Sequence, residues 1–87
     1  MSDEKLQRRF AKACEDAKRH ADADHETLRY LYAHYKQATA GDCKVSAPAI
    51  WDITGNAKHR AWLETKGMSA EKAMCNYVNK VRELGKP

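Results

Sequence analysis

Tyr32, Tyr35 and Lys36 stand at i, i+3 and i+4, a spacing that puts two phenols and an ammonium on one helix face. Tyrosine rings stack on planar bases, their hydroxyls donate to phosphate, and lysine adds a point charge. That combination offers recognition of an anion joined to a ring. A second group is Thr54-Gly55-Asn56-Ala57-Lys58. It places Lys58 near the start of a helix, where free N–H groups and the helix dipole attract phosphate, with Trp62 one turn further on. Tyr77 is the third candidate, within the apolar stripe of a last helix. The competing structural reading makes the tyrosines core aromatics and the lysines solvated rim charges.

Other chemistry finds little support. Cys14, Cys43 and Cys75 are odd in number and far apart, so free thiols in a cytosolic protein are expected rather than a disulfide scaffold. A cysteine or serine nucleophile needs a base and an orienting group, and no such spacing to a histidine is present, so no enzyme is expected. His20, His25, His34 and His59 form no H-x-x-x-H pair and the cysteines no C-x-x-C, so no metal is expected.

These residues need helices to hold them. Four glycines, two prolines and no period-two β-branched run predict an all-α chain. The first helix is predicted from about Asp3 to His20, capped by Ser2, with Leu6, Phe10, Ala13, Cys14 and Ala17 inward. After a turn at Asp22–Asp24 the second runs from His25 to Thr39, with Leu28, Leu31, Tyr32, Tyr35, Ala38 and Thr39 in one stripe. It stops at Gly41 in a left-handed C′ conformation. Residues 42–53 form a long connection, expected to pack on the helices through Val45, Ile50, Trp51 and Ile53. The third helix starts after Thr54 and ends near Lys66 before Gly67. The fourth, capped by Ser69, carries Ala70, Ala73, Met74, Tyr77, Val78, Val81 and Leu84 in a broad stripe. The expectation is a four-helix bundle.

Composition narrows the partners. The 87 residues make one domain, 1–87, with a thin core. No apolar run is long enough to span a membrane, and the polar start Met1-Ser2-Asp3-Glu4-Lys5 is no signal peptide. Sixteen basic against 12 acidic residues give a net charge of +4, which favours anionic partners. The charge is dispersed among acids rather than striped, so nucleic acid is not expected.

The string Tyr32-Ala33-His34-Tyr35-Lys36-Gln37-Ala38-Thr39-Ala40-Gly41-Asp42 resembles the acyl-CoA-binding protein (diazepam-binding inhibitor) family. Pro48, Asp52, Gly55-Asn56-Ala57-Lys58, Ala61-Trp62, Lys66-Gly67, Ala73-Met74 and Asn76-Tyr77-Val78-Asn79-Lys80-Val81 follow in order. The resemblance implies an up-down-down-up four-helix bundle with a long loop between helices two and three. It implies one-to-one binding of a medium- to long-chain fatty acyl-CoA, with no cofactor and no chemistry on the ligand. The role implied is that of a monomeric cytoplasmic acyl-CoA carrier and pool former, meeting acyl-CoA-using enzymes and membranes transiently. By motif, Tyr32, Tyr35, Lys36, Lys58 and Tyr77 correspond to ligand-contacting positions, with Ala13 and Lys18 of the first helix at or near others. Lysines and tyrosines of such a site hold the adenine and 3′-phosphate, and the tail lies in an apolar groove.

The chain also departs from the pattern. Arg29 stands where the family usually has an apolar side chain near that groove, and His59 where many members have tryptophan. His20 replaces a leucine, Ala47-Pro48-Ala49 an Arg-Pro-Gly, and a proline before helix two is missing. Arg29 and His59 are expected to alter chain-length preference, unless Arg29 snorkels along the groove wall.

Overall fold

A computed structural model describes the backbone of residues 2–86 and the side chains of residues 4–86. It contains helices α1 (Ser2–Ala17), α2 (His25–Ala40), α3 (Ile53–Leu63) and α4 (Ala70–Leu84), and no strand among the described residues. A single 3₁₀ turn, Lys18–His20, continues α1. The cap expected from the Ser2 side chain lies outside the described side chains.

Short polar residues set the other helix starts by accepting a free first-turn N–H. Asp24 Oδ1 accepts from Thr27 N at 2.7 Å, and Ser69 Oγ from Lys72 N at 3.1 Å. At α3 the cap is Asp52, whose Oδ1 accepts from Gly55 N at 2.9 Å, so the helix begins at Ile53 and not after Thr54. Regular α3 also ends early, at Leu63, and tighter turns carry the chain on to Gly67. Gly41 closes α2 through Gly41 N to Gln37 O at 3.2 Å. Its φ of 79° is positive as expected, but a ψ of −154° puts it in a region open essentially to glycine alone, outside the left-handed helical basin.

The helices run up-down-down-up. Lys58 faces Tyr32 and Trp62 faces Lys36, a constant offset that makes α2 and α3 parallel. Lys80 faces Tyr30 and Tyr77 faces Tyr35, so α4 runs antiparallel to α2. α4 packs on α1 and α2, while α3 packs on α2. The Cα trace is only 15 Å across its thinnest axis, so the core is shallow. Phe10, Ala13, Leu31, Tyr77 and Val81 form its centre, with Cys14, Ala17, Ala38, Met74, Val78 and Leu84 around them.

The long connection corrects the sequence expectation. Val45, Ile50, Trp51 and Ile53 do not pack on the helices; they are 58, 89, 81 and 81% exposed. Polar bonds hold this segment instead. Asn56 Nδ2 donates to Ala49 O and to Asp52 O, both at 2.8 Å, and His59 Nε2 lies 2.8 Å from Val45 O. Side-chain bonds from α3 to loop carbonyls fix the loop, and its apolar side chains are left turned to water.

A buried polar network closes the opposite end of α2. Gln37, 2% exposed, donates through Nε2 to Asp42 Oδ1 at 2.8 Å and to Met68 O at 2.9 Å. Its Oε1 accepts from Thr65 Oγ at 2.9 Å, and Gly67 N donates to the same Asp42 oxygen at 2.8 Å. Trp62 Nε1 adds a bond to Gly41 O at 2.8 Å. These bonds fasten the α3–α4 connection to α2 and fix the α2–α3 register that the site depends on.

Candidate functional site

Across the α2–α3 seam, two lysines and two aromatics interlock. Lys58 Nζ of α3 lies 5.4 Å from the centre of the Tyr32 ring of α2. One turn on, Lys36 Nζ of α2 lies 4.9 Å from the Trp62 ring of α3. Each helix supplies one aromatic and one ammonium at i, i+4, and parallel packing pairs them crosswise. Neither lysine has a carboxylate partner among the described residues, so both keep their charge available for an anion.

The seam continues into a groove of about 320 Å³, walled by Leu28 and Arg29 of α2 and by Ile53, Thr54, Ala57 and Lys58 of α3, with His25 at its end. Its apolar walls, with Lys58 at one margin, can take an apolar chain attached to an anionic head. Gly55 matters here through space: a β-carbon on it would collide with the Asp52 carboxylate that caps α3.

Tyr35 and Tyr77 form a second cluster, over α1. Their ring centres are 6.3 Å apart, and both contact Phe10, at 5.9 Å in a stacked and 5.1 Å in an edge-on arrangement. Tyr35 is 42% exposed and offers its ring to solvent, whereas Tyr77 is buried. Burial, reinforced by the neighbouring Cys14 thiol, pushes the Tyr77 phenol well above the usual tyrosine value, so it stays a neutral hydrogen-bonding group. Burial likewise pushes the Cys14 thiol up, partly offset by the Tyr77 hydroxyl, the wrong direction for a nucleophile.

Thus Tyr32, Lys36 and Lys58 are brought together directly, and Tyr35 and Tyr77 join on the adjacent face. Ala13 lies beneath that second cluster as a buried core residue and touches the α1–α4 crease, not the α2–α3 groove. Lys18 stands apart in the 3₁₀ turn, with Nζ 3.0 Å from Glu15 Oε2. Trp62 completes the crosswise pairing; its one-turn spacing from Lys58 is the sequence signal for it. Phe10 reaches the tyrosines from α1; its spacing marks it as inward-facing, but not which rings it meets. Among the described residues, no group of three or more His, Cys, Asp or Glu is placed to hold a metal, and no helix is long and apolar enough to cross a membrane.

The geometry defines a helical bundle with a tyrosine-lined, cationic seam opening into an apolar groove. The acyl-CoA-binding protein family model matches residues 7–81. Diazepam-binding inhibitor-like 5 from Mus musculus and from Rattus norvegicus are each 47% identical over 64 residues, 74% of this chain and 72% of theirs. The crystal structure of Oryza sativa acyl-CoA-binding protein 2 superposes with a TM-score of 0.86 at 38% identity, covering 91% of this chain and 89% of that one. The chain belongs to the acyl-CoA-binding protein family, and membership of that family implies acyl-CoA binding.

Proposed function

We propose that residues 1–87 form a single domain that binds one medium- to long-chain fatty acyl-CoA and carries it without altering it. The observation that carries this reading is the crosswise pairing of Lys58 with Tyr32 and Lys36 with Trp62 at the mouth of an apolar groove. The ligand has the matching parts: a base, a 3′-phosphate, a pyrophosphate and an apolar tail. Lys36 and Lys58 meet the 3′-phosphate with Tyr32, the half-exposed Tyr35 ring stacks on adenine, and Tyr77 supports it from below. Ala13 supports the aromatic cluster, and Lys18 reaches the headgroup only by leaving Glu15. The tail follows the groove past Leu28 and Ala57.

Magnitudes divide the labour. A charge-assisted contact contributes about 1.5–3 kcal/mol. Each buried methylene contributes about 0.8 kcal/mol, so ten of them outweigh any single headgroup contact. The tail therefore sets affinity, and the headgroup sets selectivity over free fatty acid. The protein acts as a monomeric cytoplasmic carrier and pool former, handing its ligand to enzymes and membranes. Three free thiols fit a reducing compartment. Calorimetric titration with palmitoyl-CoA, with CoA and palmitate as separate controls, tests the reading. Tight one-to-one binding of the ester alone is expected; no binding of palmitoyl-CoA or of shorter esters would remove it.

A further inference from the structure

A crease of about 510 Å³, larger than the α2–α3 groove, lies between α1 and α4, on another side of the bundle. The candidate site shares only the buried Ala13 with it. Arg9, Lys12 and Arg19 line it from α1 and its 3₁₀ extension, and Arg82 and Lys86 from the end of α4 and beyond. His20 adds an imidazole, and Asp16 is the one acid. Five fixed cations against one carboxylate leave +4, which equals the formal net charge of the whole chain. The rest of the surface balances to zero.

Among the described residues, only one of these cations is neutralised by a carboxylate. Lys12 Nζ takes up Asp16, at 3.2 Å. Among the described residues, Arg9, Arg19, Arg82 and Lys86 have no carboxylate within 4.0 Å, although other basic residues of the same helices do: Arg8 has Glu4, Lys18 has Glu15 and Lys80 has Glu83. Cations converging from two helices about 60 residues apart in sequence, over a concave floor, make a field that concentrates counter-anions.

We propose that this crease is a second, separate anion site, for a small ring-bearing ester with two or three phosphate groups. Three of the five cations are arginines, whose planar forks bind phosphate oxygens bidentately. A phosphomonoester carries about −1.5 to −2 at neutral pH, so two or three of them balance +4. The lining from Arg9 to His20 runs about 16 Å along α1 at roughly 1.5 Å per residue, room for phosphates at both ends of one ring. Ala13, Val78 and Val81 give an apolar floor against which a ring can lie. The same chemistry exists free in solution and as a phospholipid headgroup.

The test titrates inositol 1,4,5-trisphosphate into isotope-labelled protein and maps amide shifts. In parallel, the protein is sedimented with phosphatidylcholine vesicles with and without phosphatidylinositol 4,5-bisphosphate. Shifts confined to α1 and α4 are expected. They persist with palmitoyl-CoA present, and binding falls at least tenfold in the double variant Arg19→Ala/Arg82→Ala. Both substituted side chains are exposed, so the variant keeps its helical circular dichroism, and its affinity for palmitoyl-CoA stays within twofold. Binding of the soluble ester alone identifies a free ligand, and retention on the phosphoinositide vesicles identifies a headgroup. No shift at millimolar ester and no vesicle retention would overturn the proposal. So would shifts centred on Tyr32, Lys36 and Lys58, or undiminished binding by the double variant.

Discussion

Lys58 of α3 holds its ammonium 5.4 Å from the centre of the Tyr32 ring of α2, and the same geometry recurs one turn along between Lys36 and Trp62. Each lysine is thereby steered across the seam by an aromatic face and not locked by a carboxylate. An exposed cation–π contact contributes only about 0.5–1 kcal/mol, enough to orient an ammonium and little enough to release it to a phosphate. Lys58→Ala and Lys36→Ala are each expected to weaken palmitoyl-CoA binding by about 10- to 150-fold, the equivalent of one charge-assisted contact of about 1.5–3 kcal/mol. Thermal midpoints should change little. Calorimetry at two salt concentrations checks this, because the lysine contribution shrinks with screening.

Gln37 is the residue on which the α2–α3 register depends. Removing its amide in Gln37→Ala strands the Met68 carbonyl, whereas the Thr65 hydroxyl keeps its bond to Trp62 O at 2.6 Å. A buried polar group left unpaired costs about 1–3 kcal/mol. One such group gives a loss of about 1–3 kcal/mol, and a midpoint lower by about 4–24 °C for a domain of this size. Thermal melts followed by circular dichroism check it. A drop under about 3 °C would mean water replaces the amide.

The acid limb of stability should trace to two carboxylates. Asp42 is held below the usual 3.8, first by the Gly67 N–H and then by the Gln37 amide, and Asp24 chiefly by the Thr27 N–H. A folded value below the unfolded one adds stability that is present above pH 3.8 and lost as pH falls through the lowered values. Urea midpoints should therefore be insensitive to these groups near neutrality and decline below about pH 4. Asp42→Asn is expected to flatten that decline while lowering stability at pH 7. An unchanged acid slope would count against this assignment.

Much of this was readable along the chain, and the failures share one cause. The Asp24 and Ser69 caps and the inward stripe of α4 follow from local rules, because partner and residue lie within one turn. Gln37 and His34 are polar by type yet 2% and 6% exposed. The partners that permit Gln37's burial sit at 42, 65 and 68, beyond any helical period. His34 turns Nδ1 to Tyr30 O at 2.7 Å and lays its ring 4.1 Å from the Tyr30 ring, a local solution that hydropathy does not register. For the loop, hydropathy misled in the opposite sense: Ile50 and Trp51 read as anchors, but no helix face is presented to receive them. The lysine–aromatic spacings within each helix were legible, whereas their crosswise pairing needed the parallel register.

The two tryptophans should respond in opposite ways. Trp51 is 81% exposed, and Trp62 is 6% exposed with its Nε1 bonded to Gly41 O. Acrylamide should quench a red-shifted component that Trp51→Phe removes, with stability changed by less than about 0.5 kcal/mol. Trp62→Ala should cost about 3–5 kcal/mol and remove the protected component. A blue-shifted, unquenchable Trp51 would place the loop against the helices after all.

Arg29 is the residue best placed to set chain length. It lies half-buried in the wall of the α2–α3 groove beside Leu28 and opposite Ile53 and Thr54. His59 does not line that groove; its Nε2 is committed to Val45 O at 2.8 Å. A tail lengthening along Leu28 and Ala57 gains about 0.8 kcal/mol, roughly fourfold in affinity, per methylene buried. That gain should stop where further methylenes would strip water from the guanidinium without replacing its hydrogen bonds. Affinities from octanoyl- to eicosanoyl-CoA are thus expected to level off early in the native chain. In Arg29→Leu they should climb for about two more methylenes, a gain of roughly 15-fold for the longest esters. His59→Trp should leave the profile unchanged. Superimposable profiles for the native chain and Arg29→Leu would mean that the guanidinium snorkels to water and the groove is apolar along its whole length.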